Sequence, residues 1–206
     1  MSAGELDLAI RQAGLAGILP EALRQFDGYL TLLLKWNSRV NLTSIREPSE
    51  IIRRHFLESI QCAQALPQIP DATLLDYGSG AGFPGIPIAI CRLEIRATLA
   101  ESQRKKAAFL RETVRTLGLA SEVFDGRVEE MPPDRRFSVV VLRAVDRMIE
   151  SSKNALARVA PNGWLVVFTT KESGPKLKAA LPEVEWHDPL PIIGTMQGEI
   201  LMGQGT

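Results

Sequence analysis

The stretch "LLDYGSGAGFPGIPI", residues 74–88, sets a carboxylate, Asp76, ahead of glycines at positions 78, 80, 82 and 85. Two ligand-loop patterns overlap in it. Gly80, Gly82 and Gly85 spell G-x-G-x-x-G, the dinucleotide fingerprint in which a helix N-terminus receives a pyrophosphate. Asp76, Gly78, Gly80 and Gly82 spell D-x-G-x-G-x-G, the pattern of S-adenosylmethionine (SAM) sites. Three residues weigh the two readings. A carboxylate at Asp76 suits a cationic amine and a sulfonium better than a pyrophosphate. Pro84 stands where a pyrophosphate would want a backbone N–H donor. Glu101, about twenty residues further on, can accept hydrogen bonds from a ribose diol, which both ligands carry. The balance favours SAM.

The rest of the chain offers little other chemistry. It has two histidines and lacks an H-E-x-x-H motif, a G-x-S-x-G elbow or a Walker lysine after the loop. Cys62 and Cys91 lie outside any C-x-x-C arrangement, so neither a zinc knuckle nor a disulfide framework is suggested and no metal site is expected.

A cofactor loop of this kind needs a strand before it and a helix after it. The sequence supplies both repeatedly. Short apolar runs "ATLLDY", "RATLAE", "EVFD", "FSVVVL" and "GWLVVFTT" alternate with helix-like stretches such as "QRKKAAFLRETVRTLG", which closes at Gly118. Strand, helix, strand implies an α/β fold with a mostly parallel, doubly wound, Rossmann-like sheet. Buried on both faces, its strands read as continuous apolar runs, as "FSVVVL" does. The tail segments "VEWHDPL" and "GEILMGQGT" have no helix between them and suggest a terminal antiparallel hairpin.

Before residue 70 the pattern is helical. Leu23, Phe26, Leu30 and Leu33 recur at three- and four-residue spacing after Pro20, and Ile51, Phe56, Ile60 and Ala63 repeat the theme. "PQIPDA" then acts as a turn. The chain therefore divides into an N-terminal helical extension, 1–70, and a SAM-binding domain, 71–206.

Lysine and arginine together number 24, equal to the 24 acids, so no global charge argues for a nucleic-acid partner. Locally the charges are uneven. Residues 92–115 hold seven basic residues against three acids, and residues 135–158 hold six against two. Each segment is read as a solvated helix face or a phosphate-tracking surface. The N-terminus has no basic stretch before an apolar one, and no membrane-length apolar run occurs, which predicts a cytoplasmic protein without a membrane partner.

"GSGAGFPGIP" at residues 78–87, with "KWNSRVNLTSI" at 35–45 and "RHFLES" at 54–59, resembles the RsmG family, also called glucose-inhibited division protein B. "AESQRKKAAFLR", "GRVEE" and "LRAV" extend the resemblance over roughly residues 23–170 in the expected order. It implies a class I SAM-dependent methyltransferase that modifies guanine N7 in a loop of small-subunit (16S) rRNA, the 530 loop, at guanine 527 in conventional rRNA numbering. It also implies site residues. Gly78 and Phe83 would line the methionine and adenosine portions of SAM, Glu101 with Ser102 the ribose, and Val128 with Glu129 the adenine. Arg143 would lie at the active-site mouth. Three positions depart from the family pattern: Tyr77 stands where leucine is usual, Glu58 replaces aspartate, and Leu142 replaces serine or threonine.

Guanine N7 carries a lone pair and loses no proton before attack, so positioning rather than a general base is expected. N7 lies deep in an A-form major groove, so the base must be presented from a loop. Arg143 and Arg147 are candidates for a phosphate or the guanine O6 edge. Arg53, Arg54 and His55 of the helical extension, Arg104, Lys105 and Lys106 near the cofactor rim, and Lys171 after the last apolar run are candidate RNA contacts. The expected partner is 16S rRNA, alone or within the small subunit, bound by a monomer. Methylation of another RNA or a small molecule is the alternative enzyme reading. A nucleotide-binding module without catalysis is the alternative of another class.

Overall fold

The computed structural model describes residues 3–205. Met1, Ser2 and Thr206, included above in the two predicted regions, lie outside the described residues. The chain begins with helices α1 (Ala3–Gln12), α2 (Pro20–Asn37) and α3 (Pro48–Ile51), a π-helical segment (Ile52–Phe56), and α4 (Leu57–Ala65). Strand and helix then alternate: β1 (Thr73–Tyr77), α5 (Gly85–Cys91), β2 (Arg96–Glu101), α6 (Arg104–Leu117), β3 (Glu122–Asp125) and β4 (Phe137–Arg143). After these come α7 (Met148–Leu156), β5 (Val159–Thr170), α8 (Gly174–Ala180), β6 (Val184–Trp186), β7 (Leu190–Pro191) and β8 (Gly198–Gly205).

The eight strands form one sheet in the order β3-β2-β1-β4-β5-β8-β6, with β7 paired to β8. Strands β1 to β5 are mutually parallel, whereas β8 runs antiparallel to β5, β6 and β7. The expected terminal hairpin is present and extends the sheet at one edge. Strand order reverses between β1 and β4, which makes the carboxyl ends of these strands the place for a ligand.

Alternation along each strand explains the continuous apolar runs. Val139 and Val141 of β4 join the core that includes α1, α2, α4, α5 and α6, while Val140 and Leu142 join the core under α7 and α8. Both faces are covered. The first core also crosses the turn at residues 67–72, because Phe26, Tyr29 and Phe56 of the helical extension pack with Phe83 and Phe109. Helical extension and sheet thus share one apolar interior.

The π-helical segment has a visible cause in the spacing. Ile51 and Phe56 are five residues apart and both fully buried, which an α-helix of 3.6 residues per turn cannot present on one line. A wider turn, with Leu57 N–H donating to the Ile52 carbonyl, keeps both inside. The segment also carries His55, which lines the cavity described below, and such bulges often mark functional sites.

Candidate active site

β1 ends at Tyr77, and the chain turns through Gly78 to Ala81 before α5. This turn is tied to the neighbouring strand. Ser79 N–H donates to the Ala100 carbonyl at 2.8 Å, and Gly80 N–H donates to Glu101 Oε2 at 2.9 Å. Oε1 of Glu101 accepts from Gln103 N–H at 2.7 Å, which leaves each carboxylate oxygen a further acceptor site. Gly78 adopts φ 71°, and a Cβ there would meet Val145 Cγ1 at 3.0 Å. Only glycine combines that angle with that approach.

Gly82 has a different task. Its φ is 92°, and a Cβ would clash first with Ile86 Cδ1 of α5 and come within 2.8 Å of the Tyr29 hydroxyl, which donates to the Ala81 carbonyl at 2.5 Å. The glycine admits α2 against the loop, and the helical extension holds the loop in shape.

Asp76 turns away from the place the sequence suggested for it. It is buried beneath the loop, where Oδ2 accepts from Gly85 N–H at 3.1 Å, and it is not among the residues lining the cavity described next. Oδ1 has no hydrogen-bond partner among the described residues. Burial pushes the carboxyl up to about 7, against the hydrogen bonds from Ser79 and Gly85 that favour its ionised form.

A cavity of about 690 Å³ opens over the carboxyl ends of β1, β2 and β4, a size suited to a nucleoside-sized ligand. Its floor is the Tyr77 to Ala81 turn with Phe83. One side holds Glu101, Ser102, Lys106, Val128 and Glu129. Tyr77 O–H donates to Glu129 Oε1 at 2.5 Å, and Asn154 Nδ2 donates to the same oxygen at 3.0 Å. Arg158 Nη2 donates to the Val128 carbonyl at 2.9 Å. The 128–130 turn is therefore fastened at both backbone and side chain. A carboxylate with free acceptor sites, an aromatic ring and a glycine turn in one concavity fit the diol, base and amino-acid end of SAM.

The opposite side comes from the helical extension. His55 stacks on Phe83 with ring centroids 4.5 Å apart. Its Nδ1 lies 3.3 Å from Arg143 Nη2, which can only donate. Nδ1 is therefore the acceptor, and Nε2–H donates to Thr43 Oγ1 at 3.0 Å. Burial first, and then the Arg143 charge, push His55 down to about 4. The imidazole is neutral near pH 7 and stands in the cavity wall, rather than adding a charge to a surface patch with Arg53 and Arg54.

Arg143 lines the same cavity, but its guanidinium is engaged. It donates to Glu58 Oε2 at 2.5 Å and to the Arg54 carbonyl at 2.6 Å, and it lies 5.2 Å over the Phe168 ring. Side-chain exposure is 13% for Arg143 and 4% for Glu58, so this is a largely buried pin between β4 and α4.

The structure thus brings together Gly78, Gly80, Phe83, Glu101, Ser102, Val128, Glu129, Arg143, His55 and Lys106. The other candidates lie elsewhere. Arg104 and Lys105 are exposed on the first turn of α6, and Lys171 is exposed after β5. Arg53 and Arg54 pair with Glu50 and Glu58, each at 3.3 Å. Arg147 lines a separate cleft. Sequence reasoning passed over Thr43, Ser44 and Tyr77 as cavity residues. The signal for Thr43 was Asn37 at the end of α2, whose Oδ1 accepts from Leu42 N–H at 2.9 Å and Thr43 N–H at 3.1 Å and shapes the "NLTS" bend. Among the described residues no group of three or more His, Cys, Asp or Glu side chains is placed to hold a metal.

Comparison with known proteins agrees with this fold. Among solved structures, a SAM dependent methyltransferase from Aquifex aeolicus superposes with a TM-score of 0.63 at 15% identity, covering 81% of this chain and 97% of that one. TYW2 of P. horikoshii, solved in complex with MeSAdo, gives 0.60 at 16% identity over 73% of this chain and 62% of its own. Identities this low establish the class I methyltransferase fold. Sequence relatives go further. The ribosomal RNA small subunit methyltransferase G of Pelotomaculum thermopropionicum is 37% identical over 93% of this chain and 79% of its own length. That of Methylobacillus flagellatus is 38% identical over 79% of this chain and 78% of its own. The family model described as "GidB: rRNA small subunit methyltransferase G" matches residues 22–187, and the chain belongs to that family.

Proposed function

We propose that this protein is a SAM-dependent rRNA methyltransferase that modifies N7 of a guanine in a loop of 16S rRNA, acting as a monomer in the cytoplasm. The observation that carries the reading is the position of the family's motifs: the glycine turn, "GRVEE" and "LRAV" all meet at one cavity over the strand ends where the sheet order reverses. When bound there, SAM supplies a methyl group on a sulfonium for in-line displacement. Glu101 and Ser102 hold the ribose, Val128 and Glu129 flank the adenine, and the backbone at Gly78 and Gly80 receives the amino-acid end.

Guanine N7 needs orientation and a dry approach, not deprotonation. The titratable side chains on the wall suit that demand. His55 has both ring nitrogens engaged, and the Tyr77 hydroxyl, pushed up to about 12 by burial and by its Glu129 partner, stays protonated. The Phe83 and His55 rings offer a flat edge beside the cofactor region, and Lys106 offers a cation to the RNA backbone.

The test is to offer methyl-labelled SAM with naked 16S rRNA, assembled small subunits and transfer RNA, then map the labelled atom. Label at guanine N7 of the 16S rRNA is the expected result. Label confined to transfer RNA, or at another atom of the base, rejects the assignment.

A further inference from the structure

The basic run at residues 135–158 can be sorted by what each side chain touches. Arg135 pairs with Glu122, Arg136 donates to the carbonyls of Ala157 and Val159, Arg143 pins Glu58, and Arg158 caps the carbonyls of Val128, Met131 and Pro132. Arg143 and Arg158 are held in the interior, and Arg135 and Arg136 are engaged nearer the surface. The remaining two, Arg147 and Lys153, both face a cleft of about 570 Å³ between α7 and α8, where Lys176 joins them.

Along the chain, the cleft follows directly on the first cavity. Asp146 lines the cavity over the strand ends and Arg147, the next residue, lines the cleft. Thr169, one residue beyond the Phe168 ring that carries Arg143, lies in it too. Its floor is apolar: Met148, Leu177 and Ile149, the last 43% exposed. Lys153 has no ion pair among the described residues. Arg147 meets Glu150 at 3.4 Å and Lys176 meets Glu172 at 4.0 Å, both on exposed side chains, and such pairs yield easily to a phosphate.

An apolar floor with three cations and one acid, Glu150, on its rim, next along the chain to the active-site cavity, matches a single strand of nucleic acid: bases against the floor, phosphates on the cations. We propose that the α7–α8 cleft carries the rRNA strand flanking the target guanine, with Arg147, Lys153 and Lys176 on its phosphates and Ile149 beneath a base. The proposal rests on the rRNA reading above and assigns a role to Lys153, Lys176 and Ile149 that no motif marked.

The experiment compares the full chain with the double variant Lys153→Gln, Lys176→Gln, measuring Kd for naked 16S rRNA across a salt series and Kd for SAM. Two lost phosphate contacts reduce the slope of log Kd against log salt by roughly 1.4 and weaken binding about tenfold near 0.15 M salt. SAM affinity stays unchanged, which shows that the cavity is intact. Ile149→Ala weakens rRNA binding with the slope preserved. An rRNA affinity and slope equal to the parent's overturn the proposal. So does a loss seen with assembled subunits and absent with naked rRNA, which assigns the cleft to a ribosomal protein. If the parent chain methylates only transfer RNA, the substrate reading fails and the cleft's role on 16S rRNA falls with it. A parent active on 16S rRNA with an indistinguishable variant removes the cleft alone.

Discussion

The hydroxyl of Tyr77 lies 2.5 Å from Glu129 Oε1, at a position where leucine is usual in the family the chain resembles, and it links the end of β1 to the 128–130 turn on one wall of the cavity. Glu129 is exposed and keeps Asn154 as a second partner, so the link orients more than it stabilises. Tyr77→Phe is expected to lower stability by about 1 kcal/mol and to raise KM for SAM several-fold with kcat preserved; steady-state kinetics at saturating rRNA, beside urea unfolding, check both. A KM unchanged by the loss of the hydroxyl would show that the turn needs no such tether. Asp76 makes a different kind of statement. Its carboxyl titrates near 7 in the fold against about 3.9 in the unfolded chain. Between those values the unfolded chain releases a proton that the folded chain keeps, so the Asp76 contribution to stability falls as pH rises from about 4 to 7 and is flat above. Asp76→Asn, whose amide oxygen still accepts from Gly85 N–H, removes that slope. Unfolding free energies of the two chains, measured across pH 4 to 9, should diverge in favour of the variant up to about pH 7, by a few kcal/mol at 1.4 kcal/mol per pH unit, and run parallel beyond.

Among the elements, the loop between β1 and α5 is shaped as much by α2 as by its own glycines. Gly82→Ala places a methyl group at φ 92° against Ile86 Cδ1 and within 2.8 Å of the Tyr29 hydroxyl, combining a left-handed angle with overpacking. The expected cost is about 3 kcal/mol. Because Tyr29 must leave the Ala81 carbonyl, SAM affinity falls as well. Urea unfolding and SAM titration measure the two effects, and a loss of stability with full SAM affinity would separate the α2 contact from the ligand loop. These elements differ in how far the sequence shows them. Each parallel strand is buried on both faces, so its apolar run announces it, and the terminal hairpin follows from the missing helix between two strands. The break of the second helical stretch into α3, a π-helical segment and α4 was present in the five-residue interval from Ile51 to Phe56. A reading that counts only three- and four-residue spacings passes over it.

Across the whole molecule the candidate site was legible wherever one local stretch builds it. The glycine turn follows β1, Glu101 closes β2 and the 128–129 turn comes after β3, and the topology collects them at the switch point. What the sequence concealed are pairings across distance. Arg143 reads as a free cation at a strand end, yet it is held by Glu58, 85 positions away, and Asp76 reads as a ligand residue because nothing local shows that Gly85 N–H will claim it. The Arg143–Glu58 pair joins the helical extension to β4 directly beside the cavity, and its energetics can be tested as a unit. Breaking a buried pair leaves one partner uncompensated, so Arg143→Gln is expected to destabilise the fold by about 3 kcal/mol at pH 8. Burial already raises the Glu58 carboxyl, with Arg143 and Arg54 opposing that rise. Without Arg143 it rises further, and the folded chain keeps a proton that the unfolded chain loses above about 4.3. Stability of Arg143→Gln therefore falls as pH rises through that window, and its deficit against the parent is smaller at pH 5 than at pH 8. Glu58→Gln removes the acid, so the double variant should lose less than the two single variants together, by at least 1 kcal/mol in a double-mutant cycle on the order expected for contacting residues. Additive losses, with the same deficit at both pH values, would mean that Arg143 acts through its contacts with the Arg54 carbonyl and Phe168 and that the carboxylate at Glu58 is incidental to the junction.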